Sequence, residues 1–265
     1  MWSRVLHIAS WVIGILCLFV LLGASVATSN RAHLLDVSVD LNFGEGNFFI
    51  NEDEVKEVVS DLGYLKDSTL MIDIDPTKIE HVLKNNAFIN DAQVYEELNG
   101  VLHVDVDIRQ PVLRLYNSQG ESVYVDEQGQ FMPLSKAYTA RAPIANGFLT
   151  IGLKDLIGGD IRQLADSLTH KDIKVIEDLF DIVMTCRADK FWKAQFNQFY
   201  VNSNSEIEMI PRVGDHIVIV GNAQDIDKKL NKLALFYAKG LDMTGWNEYK
   251  TINLKYANQV VCTKS

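Results

Sequence analysis

The strongest constraint on this chain is the uncharged apolar run from Val5 to Ala27, VLHIASWVIGILCLFVLLGASVA. At about 1.5 Å of rise per residue such a run makes roughly 34 Å of helix, enough to cross a bilayer core. Its polar members, His7, Ser10 and Ser25, lie toward the ends, where side chains reach the interface. A cleaved signal peptide is the competing reading, because Arg4 supplies a basic start and Ser25-Val26-Ala27 a small-residue cleavage pattern. The run exceeds the roughly 7 to 15 residues of a signal-peptide core, which favours a retained anchor. Either way, everything after Ala27 is expected to be exported, with the N-terminus inside.

The remainder is long enough for two domains. The chain carries 25 Lys and Arg against 35 Asp and Glu, a formal net charge of −10. That balance disfavours nucleic-acid or anionic-membrane binding through a broad basic surface and leaves protein as the expected partner. Three cysteines make no disulfide framework, and Cys17 falls inside the apolar run. In an oxidising compartment Cys186 and Cys262 could form a disulfide; two buried free thiols are the alternative.

Residues 28–35 read as a short tether. Asp36 to Phe43 then alternates Val37, Val39, Leu41 and Phe43 with polar neighbours, the period of a half-buried strand. Asn51 followed by Glu54 opens a helix with Val55, Val58, Val59 and Leu62 on one face, stopped at Gly63. Asp75-Pro76 opens a second, carrying Ile79, Val82 and Leu83. Asn99-Gly100 between two strand-like runs predicts a type I′ hairpin. In its second arm Val104, Val106 and Ile108 face one way, and His103, Asp105 and Asp107 the other, which explains the two aspartates as a solvated face. Strand, helix, helix, strand, strand is a small α+β module.

Pro111 marks a change of character. A β-meander runs to Pro133, an extended piece follows near Gly147, and helices are expected over Ile161–Leu168 and Asp172–Cys186. Three strands then lead to a helix from Gln224 to Lys239. Its Lys228, Lys229, Lys232 and Lys239 read most simply as a solvated side, with a basic docking patch as the other reading. Thr251 to Thr263 alternates Ile252, Leu254, Tyr256, Val260 and Cys262 with mostly polar residues, predicting one long terminal strand at a sheet edge. No nucleophile elbow, H-E-x-x-H, C-x-x-C or P-loop is present, and the six histidines are scattered singly. No catalytic residue, metal ligand or cofactor is assigned.

The order of parts resembles the bacterial cell-division family FtsQ, also called DivIB. The first module is similar to a POTRA domain through FINEDEV and IDPTKIEHVLKNNAFINDAQVYEELNGVLHVDVDIRQPV. The second is similar to the family's β domain through YVDEQGQFMPL, PRVGDHIVIVG, the following Lys- and Leu-rich helix, and INLKYANQVVC. The resemblance implies an α+β chain with a cytoplasmic tail (1–4), a transmembrane helix (5–27), a tether (28–35), a POTRA-like β-α-α-β-β domain (36–110), and a mixed β domain with flanking helices and a C-terminal edge strand (111–265). It implies a non-enzymatic scaffold of the divisome in the cytoplasmic membrane at the septum, the bulk of the chain periplasmic. FtsB-like (DivIC-like) and FtsL-like proteins are the implied partners, with the septal peptidoglycan synthase reached indirectly. In that family the last strand accepts a partner strand, which maps here onto Asn253, Lys255, Tyr256, Asn258 and Val260. Lysine stands at Lys255 where arginine would permit a bidentate carboxylate contact. POTRA-like modules also serve protein transport and outer-membrane assembly, the alternative reading; no membrane β-barrel pattern follows.

Overall fold

The computed structural model describes Trp11 and residues 13–20, 32–44, 46, 48–97, 99–167, 170–241, 245–246, 248–257 and 259–264. Trp11 and residues 13–20 are helical and exposed. Among the described residues no helix is long and apolar enough to cross a membrane. The other residues of the expected span, and the expected cytoplasmic tail, lie outside the described residues. The chain divides into two units, Met1–Ile108 and Arg109–Ser265.

The first unit runs β1 (Asp36–Asn42), α1 (Glu52–Asp61), α2 (Pro76–Lys84), β2 (Ile89–Glu96) and β3 (Val101–Ile108). The sheet order is β1-β3-β2, with β1 parallel to β3 from Asp36↔Val101 to Asn42↔Asp107 and β2 antiparallel to β3. Both helices begin where their caps dictate. Asn51 Oδ1 accepts the Glu54 backbone N–H at 2.9 Å, and its Nδ2 donates to Glu54 Oε1 at 2.7 Å. Asp75 Oδ1 accepts the Lys78 N–H at 3.1 Å, with Pro76 opening the first turn. Such caps contribute about 1 kcal/mol each. Val55, Val59, Ile79 and Leu83 turn inward together with Leu102, Val104 and Val106, all essentially buried. Each such side chain contributes roughly 1.5–3 kcal/mol on leaving water.

Two local expectations are corrected in this unit. The Asn99-Gly100 turn is not type I′, which needs positive φ at both residues. Gly100 has positive φ (85°), but the Glu97 N–H donates to Val101 O and the Gly100 N–H to Glu97 O, so the loop closes at Glu97 and Val101 rather than around Asn99-Gly100 alone. That is the longer hairpin loop with glycine in the left-handed position. A Cβ on Gly100 would lie 2.6 Å from the His33 carbonyl, so the close approach of residues 32–35 also demands glycine. Residues 32–35 of the expected tether (28–35) pack onto this unit, and 28–31 lie outside the described residues. The Leu34 N–H donates to Thr69 O, the Leu35 N–H to Gly100 O, and Leu34 is fully buried.

The second unit contains β4 (Pro111–Tyr116), β5 (Ser122–Asp126), β6 (Phe131–Met132), β7 (Ile144–Gly147), α3 (Ile161–Ser167), α4 (Lys171–Ala188), α5 (Lys190–Gln195), β8 (Phe196–Val201), β9 (Ile207–Pro211), β10 (Ile217–Gly221), α6 (Ile226–Phe236), β11 (Tyr249–Asn253) and β12 (Val261–Lys264). They form a nine-stranded mixed sheet in the order β12-β11-β10-β9-β8-β7-β4-β5-β6. Helix α4 supplies the apolar backing: Ile173, Ile176, Leu179, Ile182 and Val183 are buried and share one core with Phe196, Phe199 and Met209. Asp172 at its start, itself buried, accepts the N–H and hydroxyl of Thr150 and the N–H of Ile151, tying the segment after β7 to the helix.

The expected single terminal strand is two strands. β11 runs parallel to β10 (Ile217↔Thr251 to Ile219↔Asn253), and β12 returns antiparallel to β11 (Thr251↔Thr263 to Asn253↔Val261). The apolar alternation persists through both arms and so hides the reversal between them. β10 ends at Gly221, so a continuing strand would have had few ladder partners beyond Asn253.

Two consequences for stability follow. Gly147 has φ 115°, and a Cβ there would lie 2.2 Å from the Val201 carbonyl of neighbouring β8. Gly147→Ala is therefore expected to lower the unfolding free energy by about 3 kcal/mol or more, read by urea denaturation. His216 is buried, with Nε2 2.8 Å from the Tyr237 hydroxyl. Burial holds its imidazole below the usual histidine range, against the opposing pull of the Trp246 backbone and Asp215. The unfolded chain then binds more protons than the folded one once pH drops below about 6.5, so stability is lost on acidification. A plot of Tm against pH should show this fall, and His216→Gln should flatten it.

Candidate partner-binding edge

The nine-stranded sheet ends in two edges of different character. β6 is two residues long and both are buried. β12 is four residues long, with Val261, Thr263 and Lys264 exposed and Cys262 half-buried. An edge strand offers unpaired backbone donors and acceptors along its outer side. Lys264 is a charge on the edge itself, a position at which lysine discourages indiscriminate pairing.

The residues singled out from sequence gather around this edge but not in one strand. Asn253 closes β11, pairs with Val261, and accepts the Lys255 N–H through its side chain at 3.0 Å. Lys255 and Tyr256 lie in the connection between β11 and β12 rather than on a strand. Val260 directly precedes β12 and packs partly buried against the core. Asn258 lies outside the described residues. Tyr256 is 48% exposed, a large aromatic surface beside an edge.

Lys255 is already engaged. Its ammonium meets Glu206 Oε1 at 2.6 Å, and the lysine draws that carboxyl below its usual range, with Asn202 assisting. Both side chains are about one-third exposed, so the pair contributes less than about 1 kcal/mol. Lys232, on α6, donates to the carbonyls of Leu254 at 3.1 Å and Tyr256 at 2.5 Å. These two bonds hold the connection against the helix. Neither Glu206 nor Lys232 carries a sequence signal for this role, since both meet their partners only through tertiary contact.

Cys186 and Cys262 do not pair: both are free thiols. Cys186 is buried on the inner face of α4, whereas Cys262 stands on β12 opposite Ile252. Burial pushes the Cys186 thiol up to about 12, with Asp189 adding to it, and raises Cys262 as well.

Two family models match the chain. Residues 110–263 match the model described as FtsQ/DivIB, C-terminal related, which covers more than half of the sequence. The chain belongs to this family. Residues 35–107 match the POTRA-like domain model, in agreement with the sheet order of the first unit. No curated protein matches the chain. FtsQ/DivIB proteins are non-enzymatic scaffolds of bacterial cell division that interact with other division proteins at the septal membrane, and membership supports that general role here. β11 and all of β12 but Lys264 fall inside the FtsQ/DivIB-related region.

The thiols make a direct check. With a thiol reagent at about pH 8, Cys262 should react well before Cys186, which should stay protected until the chain unfolds. Equal protection of both, with a mass two hydrogens lighter, would instead indicate a disulfide.

Proposed function

We propose that this chain is a bitopic scaffold of the divisome that recruits FtsB-like and FtsL-like proteins by strand addition at its C-terminal edge, and through them regulates septal peptidoglycan synthesis. In this reading residues 5–27 anchor the chain in the cytoplasmic membrane, residues 1–4 lie inside, and the POTRA-like (36–110) and β (111–265) domains stand outside at the septum. The observation that carries it is β12: a short, exposed strand at the end of a nine-stranded sheet, within the family-matched region but for Lys264. Strand addition uses main-chain hydrogen bonds for affinity and flanking side chains for selectivity. Asn253, Lys255, Tyr256, Asn258 and Val260 supply the flank. Tyr256 contributes apolar surface, and Lys255 offers its charge once a partner carboxylate replaces Glu206. The transport reading draws on the POTRA-like match alone, and the FtsQ/DivIB-related match favours division.

Tyr256→Asp, and separately Val261→Pro, which removes a backbone donor from β12, should each weaken capture of the FtsB-like partner at least tenfold. Tm should change by only a few degrees. Undiminished capture by both variants would reject strand addition at this edge.

A further inference from the structure

A groove of about 610 Å³ opens in the second unit between the β8–β9 turn, the start of α6 and the β11–β12 connection. Four lysines line it: Lys228, Lys229, Lys232 and Lys255. In a chain of net charge −10, that concentration of positive charge runs against the whole. Two of the four are neutralised locally, Lys228 by Asp225 at 2.7 Å and Lys255 by Glu206 at 2.6 Å. The other two hydrogen-bond to neutral oxygens instead.

Lys229 is only 8% exposed, and its ammonium donates to the carbonyl and side-chain oxygens of Asn222 at 2.9 and 3.1 Å. Lys232 donates to the Leu254 and Tyr256 carbonyls. All four acceptors are neutral, and among the described residues neither ammonium lies within ion-pair distance of a carboxylate. A protonated lysine has three N–H donors, so each keeps one beyond these bonds. Burial lowers the proton affinity of Lys229 and the neighbouring charge of Lys232 lowers it further, outweighing the opposing pull of Asp178 and Asp225. An anion placed between them would relieve both penalties.

We propose that this groove is an anion-binding site that receives side-chain carboxylates from an acidic peptide segment. Three observations favour a peptide over a single small ion. The groove holds several residues' worth of volume; Ser205 and Gln224 on its walls can satisfy a peptide backbone; and it is continuous with the β11–β12 connection through Leu254, Lys255 and Ala257. A strand laid along β12 can therefore continue into it. The identity of the segment as part of a division partner rests on the function proposed above, whereas carboxylate binding does not.

The test uses the full-length chain with hexaglutamate, hexaglutamine and inorganic phosphate as probes in titration calorimetry. Hexaglutamate should bind, lose affinity as salt rises, and weaken about tenfold in Lys232→Gln while Lys232→Arg retains it. Lys136→Gln, an exposed lysine outside the groove, should leave it unchanged. Hexaglutamine binding as tightly, phosphate binding more tightly than hexaglutamate, or indifference to Lys232→Gln in a chain of unchanged Tm would overturn the proposal. Partner capture separates the two readings. If hexaglutamate binding fails while Tyr256→Asp still abolishes capture, the groove is rejected and the scaffold edge stands. Hexaglutamate binding that survives in Tyr256→Asp while capture is insensitive to it supports the groove and rejects the edge.

Discussion

The parallel pairing of β10 with β11 is the constraint from which the candidate site descends. Parallel neighbours cannot be joined by a tight turn and need a crossover of a dozen or more residues. Here α6 and the π-helical turn at Tyr237–Leu241 begin that crossover. The helix buries Ile226, Leu230 and Leu233 and leaves its lysines at the groove beside the β11–β12 connection. Because β11 enters beside β10 in the same direction, its far side would be the open edge of the sheet. The chain closes that side with its own last four described residues, which makes β12 the new edge. One topological choice thus positions the helix, the groove and the edge together.

The second unit treats its buried charges in two different ways. Asp172 and Asp126 are buried and fully served. The first accepts three hydrogen bonds from Thr150 and Ile151, and the second meets Arg109 at 2.6 Å and the backbone N–H groups of Gln128 and Gln130. A buried carboxylate without such partners would cost several kcal/mol, so these bonds fix the loops that supply them. The ammonium groups of Lys229 and Lys232 donate their hydrogen bonds to neutral oxygens. The contrast singles out the groove: elsewhere buried charge meets charge or several backbone donors, and here the lysines meet neutral oxygens.

Local chemistry was legible in the sequence wherever a short-range rule governs it. Asn51 and Asp75 cap the helices they were expected to cap, because capping depends on residues three apart. The two faces of β3 follow directly from alternation. At Asn99-Gly100 the dipeptide announced a turn but neither its type nor the close approach of the His33 carbonyl to Gly100 from another segment. The C-terminal alternation announced strand and edge but concealed the reversal after Asn253. Ile252 and Cys262 face each other across two strands while reading as one. The lysine row of α6 looked like a solvated face, and periodicity could not reveal that Lys229 is buried against Asn222 or that Lys232 reaches two carbonyls more than twenty residues away.

The sequence by itself determined the helices and their caps, the strand faces, the two-part organisation, and the order of parts that resembles the FtsQ/DivIB family. These rest on periods of two and 3.6 residues and on contacts within a turn, which a linear pattern records. Only the tertiary structure decided that the terminal strand folds back to form its own edge, that Lys255 is held by Glu206, that Cys186 is buried on α4 while Cys262 sits on β12, and that four lysines share one groove. Each of those depends on which strands become neighbours across many residues of chain, and no local spacing encodes that choice.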